Sequence, residues 1–412
     1  MLKKIALLTA LLSLLLVMVA CGSETEPTVV EVEVTRVVEG EPITMEVTRI
    51  VEGESQTETI VVTATPDPDA MMAEAEVLAP GSVNILGAGA TFPFPLYSRW
   101  FYEYAFVDPA VRFNYQSIGS GGGIRQITAR TVDFGGSDAL LTDEMKADAP
   151  GIIQIPIVAG AVVPIYNLND ANGDPIPPGM LLTGDILADI YLNNITRWDD
   201  ARLQELNPNI DLPDAAITVA HRSDGSGTTF LWVSYLAAVS DEWRENVGVG
   251  TSVSWPVGLG GRGNEGVAGI VREQPNSIGY VEYAYAKQNN LSFAHVQNAA
   301  GNFIEPTLES VVSASDALAA DMPEDFGQLL TNAPGADSWP IAGYTFLLVY
   351  EDMPDCLKAR KFIEFVRWAM SDEGSEYAFD LVYAPLGPSV RAQVEEQLDS
   401  MTCEGGQPIF GN

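Results

Sequence analysis

Three times in this chain a short apolar or β-branched run meets a cluster of glycines and then a stretch with one apolar helical face, and this recurrence limits the fold more than any other feature. Ile217-Thr218-Val219-Ala220 reads as a buried strand, and Phe230, Val233 and Ala237 follow at i, i+3 and i+7, the spacing of a helix. Between them lies Arg222-Ser223-Asp224-Gly225-Ser226-Gly227-Thr228-Thr229-Phe230, a cation, hydroxyls and flexible glycines at a strand-to-helix junction. The spacing predicts a helix that starts near Ser226. Its first N–H groups have no intrahelical partner and its dipole is positive there, so such a turn is suited to a small oxyanion without catalytic machinery. The same residue types also make ordinary loops and helix caps.

Two further junctions shift that balance. Val83-Asn84-Ile85-Leu86 runs into Gly87-Ala88-Gly89-Ala90-Thr91-Phe92-Pro93, after which Leu96, Tyr97, Trp100, Phe101 and Tyr104 mark a helical face. Phe113-Asn114-Tyr115-Gln116 runs into Gly119-Ser120-Gly121-Gly122-Gly123, with Ile124, Ile127 and Thr128 beyond. Three helix N-termini that converge would make one anion site.

With 412 residues, 47% of them hydrophobic, the chain can form two domains with separate cores. Only two histidines, His221 and His295, and three cysteines without Cys-x-x-Cys spacing argue against zinc or an iron–sulfur cluster, and no metal site is expected. A formal charge of -35 argues against nucleic acid. An anion binder of that charge must use short-range donors in a closed cleft, because surface carboxylates are screened within roughly 8 to 10 Å.

Lys3 and Lys4 precede an apolar run from Ile5 to Ala20, and Cys21 follows Met18-Val19-Ala20. The run is shorter than the roughly 20 residues that span a bilayer, so residues 1–20 read as a signal peptide. The ending resembles that of bacterial lipoproteins, in which Cys21 would become the lipid-modified first residue on the outer face of the cell membrane. Cys356 and Cys403 then remain as an even pair in an oxidising compartment, either as a disulfide or as two buried thiols.

Residues 21–81 form an acidic spacer, with fourteen Asp or Glu against two Arg from residue 22 to about 80. Glu33-Val34-Thr35-Arg36-Val37-Val38-Glu39-Gly40-Glu41 recurs thirteen residues on as Glu46-Val47-Thr48-Arg49-Ile50-Val51-Glu52-Gly53-Glu54. The alternation can pair as a hairpin, but like-charge repulsion and the lack of a core favour an extended tether. From Ser82 onward strands alternate with helices, which predicts α/β layers with mixed, mainly parallel sheets. Thr345-Phe346-Leu347-Leu348-Val349-Tyr350 reads as a buried strand, and Phe362, Ile363, Val366 and Ala369 as a helix.

Gly87 to Pro93, Gly119 to Gly122, Val132-Asp133-Phe134-Gly135-Gly136-Ser137-Asp138 and Arg222 to Thr228 together resemble the substrate-binding proteins of Pst-type phosphate ABC importers. The resemblance continues, in the same order, through Trp255 to Gly261, Ile278 to Lys287 and Trp339-Pro340-Ile341. It implies a two-lobed periplasmic-binding-protein fold of type II with no enzymatic activity and no cofactor. Residues 82–166 plus 339–412 would form lobe 1 and residues 167–338 lobe 2, closing by hinge motion over inorganic phosphate. The partners would be a permease and ATPase complex, with the membrane reached through the lipid alone. Carried over by position, Thr91, Phe92 and Ser120 would donate from one lobe, and Arg222, Ser226, Gly227 and Thr228 from the other. Asp224 would orient Arg222, and Asp138 would accept a proton from the ligand. Phosphate brings that proton at pH 7 and sulfate does not, so Asp138 would discriminate between them.

The rivals are weaker. Gly258-Leu259-Gly260-Gly261-Arg262-Gly263 satisfies G-x-G-x-x-G, with a possible helix from Val267 to Arg272, but a lone match says little about a dinucleotide. Ser226 is not in a G-x-S-x-G elbow, and His221 reads as a strand-end residue rather than a base. A binder of another tetrahedral oxyanion, and a surface lipoprotein that keeps the fold without transport, remain as alternatives.

Overall fold

Glycine-terminated strands followed by helices build one body from Val83 onward, and a separate hairpin precedes it. The computed structural model describes residues 43–51, 54–62 and 82–410. Residues 1–20, read as a signal peptide, and Cys21 lie outside the described residues. The chain divides into two units between Val77 and Leu78.

In the first unit, β1 (Ile43–Val51) and β2 (Glu54–Val62) pair antiparallel, with Ile43 opposite Val62 and Val51 opposite Glu54. The extended tether favoured by charge is therefore corrected for these residues. The register pairs Glu46 with Thr59, Val47 with Glu58 and Thr48 with Thr57.

The second unit contains β3 (Val83–Gly89), α1 (Phe94–Val107), β4 (Val111–Ser117), α2 (Ser120–Thr128), β5 (Phe134–Ser137) and the long β6 (Ile152–Asn167). There follow β7 (Thr218–Arg222), α3 (Gly227–Val239), β8 (Leu259–Gly261), α4 (Gly263–Glu273), β9 (Ser277–Glu282), α5 (Tyr283–Gln288), β10 (Ala342–Tyr350) and α6 (Cys356–Ala369). The main path of the sheet runs β4-β3-β5-β10-β6-β9-β7-β8. It is mixed: β3 is parallel to β4 and β5, and β7 is parallel to β8 and β9. The centre is antiparallel, where β10 pairs with β5 and β6, and β6 pairs with β9.

β6 joins the two halves. Ile152 to Ala161 pairs with β10, whereas Val162 to Asn167 pairs with β9, so the chain changes partner between Ala161 and Val162. The return passes beside it, where Val162 N donates to Ile341 O at 2.9 Å. Nearly every residue of β6 and all of β10 are buried, as strands covered on both faces require. Trp100 and Trp339 anchor the core around these strands, and Trp198, Trp232 and Trp243 are equally buried in residues 167–338. Cys356 and Cys403 form a disulfide with Cα atoms 5.1 Å apart, tying the start of α6 to the C-terminal segment.

Candidate functional site

The glycine-rich turns lie at the ends of parallel strands, where a strand hands its chain to a helix that packs back on the sheet. β3 ends at Gly89, and Ala90-Thr91-Phe92-Pro93 leads into α1. β5 ends at Ser137, so Asp138 follows directly, and Ser120 is the first residue of α2. From the other half Arg222 closes β7, and Ser226 caps α3, its Oγ accepting from Thr229 N at 3.0 Å. A cap of this kind satisfies one exposed donor and aims the rest of the first turn outward.

The nine residues expected at the ligand lie in one cluster, all of them buried except Asp224, which is half-buried. Ser120 Oγ accepts from Asp138 N at 3.2 Å and from Gly227 N at 3.0 Å, linking the two halves. Gly121 N donates to Gly225 O at 3.0 Å, a second backbone contact across the cleft. Gly227 has to be glycine there: a Cβ would collide with Asp138 Oδ2 and lie 2.6 Å from Ser120 Oγ. Arg222 Nε and Nη2 grip Asp224 Oδ1 and Oδ2 at 2.8 and 2.6 Å, while Nη1 reaches Thr228 Oγ1 at 3.4 Å. Gly263 N also donates to Asp224 Oδ1. Burial raises the Asp224 carboxyl, but the Arg222 hydrogen bond and charge outweigh it and hold the group below its usual range.

Three tyrosines place the Thr91 turn. Tyr115 OH donates to Ala90 O at 3.0 Å, Tyr285 OH to Thr91 O at 2.6 Å and Tyr383 OH to Phe92 O at 2.7 Å. A trans peptide directs its N–H opposite to its C=O, so fixing the carbonyls of Ala90 and Thr91 also fixes the N–H groups of Thr91 and Phe92. Phe92 contributes backbone only, since its ring is buried edge-on against Tyr383.

Asp138 is 1% exposed. Thr345 Oγ1 donates to its Oδ1, whereas its Oδ2 is buried with no partner. Burial pushes this carboxyl up to about 7, against the opposing pull of Thr345, Arg222 and Ser120. A second buried acid, Glu282, accepts from Ala284 N at 2.9 Å and lies with Oε2 2.8 Å from Tyr383 OH, and burial raises it as well.

Thr345, Asn264 and the three tyrosines are the site residues that sequence reasoning missed. Asn264 is the first polar side chain of α4 and donates from Nδ2 to Thr91 Oγ1 and Thr228 Oγ1. It sits just past Gly263, the end of the G-x-G-x-x-G match, and that glycine run here serves β8 and the start of α4. His221, as expected, has a structural place: its ring stacks on Trp255 with centroids 4.7 Å apart, and Nδ1 lies 3.0 Å from Arg222 O.

The arrangement offers hydroxyls, amide N–H groups and a neutralised guanidinium beside Asp138 Oδ2; Glu282 Oε1 is a second buried carboxylate oxygen without a partner. It contains donors for an oxyanion and an acceptor for a ligand hydrogen.

A model of the PBP superfamily domain matches residues 73–373. The phosphate-binding protein PstS of Xylella fastidiosa is 46% identical over 315 residues, which make up 76% of this chain and 84% of that one. PstS of Pasteurella multocida is 45% identical over 317 residues, 76% of this chain and 89% of the relative. Among solved structures, a phosphate-binding protein from Stenotrophomonas maltophilia aligns with a TM-score of 0.58 at 18% identity, covering 76% of this chain and 94% of that one. At that identity the likeness speaks to the fold alone.

Proposed function

Because the chain belongs to the PBP superfamily and, within it, to the Pst-type phosphate-binding proteins, we propose that it captures inorganic phosphate outside the cytoplasm and delivers it to an ABC permease. It works by binding, and no bond of the ligand is made or broken. Thr91, Phe92 and Ser120 donate from one lobe, and Arg222, Ser226, Gly227 and Thr228 from the other. Asp224 holds Arg222, and Asp138 accepts the ligand hydrogen.

The observation that carries this reading is Asp138 Oδ2, a buried oxygen without a partner in a shell of donors. A bare sulfate oxygen facing it would set two acceptors against each other in a dry cleft, at a cost of several kcal/mol. A protonated phosphate oxygen supplies the missing hydrogen. Charge capture does not depend on the protein's overall sign, because the Arg222–Asp224 pair is internally neutral and the remaining donors are uncharged dipoles.

Residues 82–166 with 339–412 and residues 167–338 are the two lobes in this reading, and the change of partner along β6 is its hinge support. The protein is exported, with residues 1–20 as its signal peptide. Cys21 is the lipid attachment point, and residues 21–81 lead from it to the folded body. No helix among the described residues is long and apolar enough to cross a membrane.

Competition of labelled phosphate by sulfate, molybdate and arsenate across pH tests the reading. Phosphate and arsenate should compete, and sulfate should not at neutral pH. Equal displacement by sulfate would refute it.

A further inference from the structure

The hydroxyls of the site have a fixed polarity, and one side chain outside the Thr91, Ser120 and Arg222 turns sets it. A hydroxyl has one hydrogen to give and two lone pairs to receive with. Asn264, fully buried at the start of α4, accepts from Glu282 N at Oδ1, at 2.9 Å. Only the carbonyl oxygen of the amide can take that N–H, so the orientation of the amide is settled and Nδ2 must face the other way. There it meets Thr91 Oγ1 at 2.7 Å and Thr228 Oγ1 at 3.1 Å, one hydroxyl from each half of the cleft.

Thr91 Oγ1 also accepts from Asn264 N at 3.2 Å, and Thr228 Oγ1 also accepts from Arg222 Nη1. Each hydroxyl thus receives two N–H groups, and its own O–H is all that remains to offer. Ser120 Oγ is in the same condition, receiving Asp138 N and Gly227 N.

We propose that Asn264 is a positioning residue for specificity: by filling the lone pairs of Thr91 and Thr228 it makes both hydroxyls obligate donors, so that they take only unprotonated oxygens of the ligand. Among the oxygens of Thr91, Ser120, Thr228 and Asp138, the ligand's hydrogen is then left with Asp138 Oδ2. Rejection of anions without a hydrogen, and rejection of ligands with a hydrogen in the wrong place, become two halves of one device. This rests on the phosphate reading above and adds to it a residue that does not itself touch the ligand.

The test uses Asn264→Asp and Asn264→Ala, with phosphate binding measured by calorimetry at pH 8 and pH 5. Asn264→Asp keeps the shape and the acceptor for Glu282 N, but turns the donor toward Thr91 and Thr228 into an acceptor that would pull both hydroxyl hydrogens away from the ligand. Asp138, Glu282, Arg222 and phosphate itself are charged or titrate close by in every variant, so the quantity read is the dissociation constant relative to the original protein at the same pH. For Asn264→Ala we expect weakening of about ten-fold or more, equal at both pH values. For Asn264→Asp we expect a larger loss at pH 8 that shrinks about ten-fold or more by pH 5, as the new carboxyl gains a proton and donates again. Asn264→Ala binding within about two-fold of the original, or an Asn264→Asp ratio that does not move with pH, overturns the proposal. If Asn264→Ala does not fold, the isosteric Asn264→Asp carries the test alone. Failure of the original protein to bind phosphate would instead overturn the phosphate reading.

Discussion

Thr345 Oγ1 donates to Asp138 Oδ1 at 2.7 Å and leaves Oδ2, which lies against Gly227 of the opposite half, without a donor. The hydroxyl comes from β10 and the carboxyl from the end of β5, antiparallel neighbours in the sheet, with Phe346 paired to Ser137. Thr345 therefore fixes the rotamer of Asp138 while its second oxygen stays available, and selectivity becomes a property of the sheet rather than of a mobile loop.

Asp138→Asn should relax the rejection of sulfate. Asn keeps an oxygen for Thr345 and puts an N–H₂ where Oδ2 was, so a bare oxygen becomes acceptable and a protonated one loses its acceptor. The phosphate-to-sulfate preference should fall by roughly 100-fold, the scale of an unpaired buried acceptor. Isothermal titration with both anions measures it, and undiminished preference in the variant would show that Asp138 is not the discriminator.

Asp138 also predicts a pH dependence of stability in the ligand-free protein. Burial lifts its carboxyl to about 7, whereas an unfolded Asp titrates near 3.9. Between these values the folded state binds more protons than the unfolded one, so this group's contribution is complete below about pH 4 and is lost as pH rises through about 7. Asp138→Asn removes that term, and the raised Glu282 is common to both proteins. The variant should gain on the original from below pH 4 up to pH 8, by up to about 4 kcal/mol in the limit of a fully retained shift. Urea denaturation across pH reads the difference. Parallel stability curves for the two proteins would rule it out.

Arg222 and Asp224 should behave as a pair. The guanidinium spends two N–H groups on Asp224 and one on Thr228, and its side chain is 1% exposed. Removing Arg222 alone strands a carboxylate beside the bound anion, a penalty of about 3–5 kcal/mol for a buried pair. Arg222→Ala/Asp224→Ala should therefore bind phosphate more tightly than Arg222→Ala, because the uncharged donors remain. Calorimetry on the single and double variants decides this, and simple additivity would exclude the coupling.

The parts of the site written in local sequence were the legible ones. A helix N-terminus after a glycine turn needs its residues within a few positions, which is why Ser120, Ser226, Gly227 and Thr228 could be found, with Arg222 and Asp224 two apart. Asn264, Thr345 and the tyrosines act across the fold: Tyr285 reaches Thr91 and Tyr383 reaches Phe92 over separations of 194 and 291 residues. No periodicity reports such a contact. The one local clue was Thr345 itself, a hydroxyl at the head of the largely apolar run Phe346 to Tyr350, whose buried oxygen must find a partner. The antiparallel centre of the sheet was hidden for a similar reason, since β6 and β10 are apolar on both faces and their direction depends on distant pairing. The hairpin of residues 43–62 escaped because net charge was weighed without register.

The disulfide should matter to stability and not to binding. Cys356 and Cys403 are 47 residues apart, so opening the loop should cost about 4 kcal/mol in the chain-entropy model. Cys356→Ser/Cys403→Ser should show that loss in denaturant while phosphate titrations stay unchanged, since neither cysteine contacts the network around Asp138. A weakened phosphate affinity would mean that the C-terminal segment is coupled to the cleft.

Gly227 tests whether the two halves meet when phosphate binds. A methyl group at this position would be driven into the Asp138 carboxylate and Ser120 Oγ, groups of the opposite half, while the local helix start of α3 tolerates alanine well. Gly227→Ala should therefore leave each half folded but stop them from meeting. Phosphate affinity should drop by roughly 100-fold or more, as closure and the Gly227 N–H to Ser120 Oγ contact are lost together, with thermal stability little changed. Small-angle scattering should then show no compaction on adding phosphate, in contrast to the original protein. If the alanine variant still contracts with phosphate, the halves do not meet at Gly227 and Asp138 in the bound state, and the acceptor role of Oδ2 loses its geometric basis.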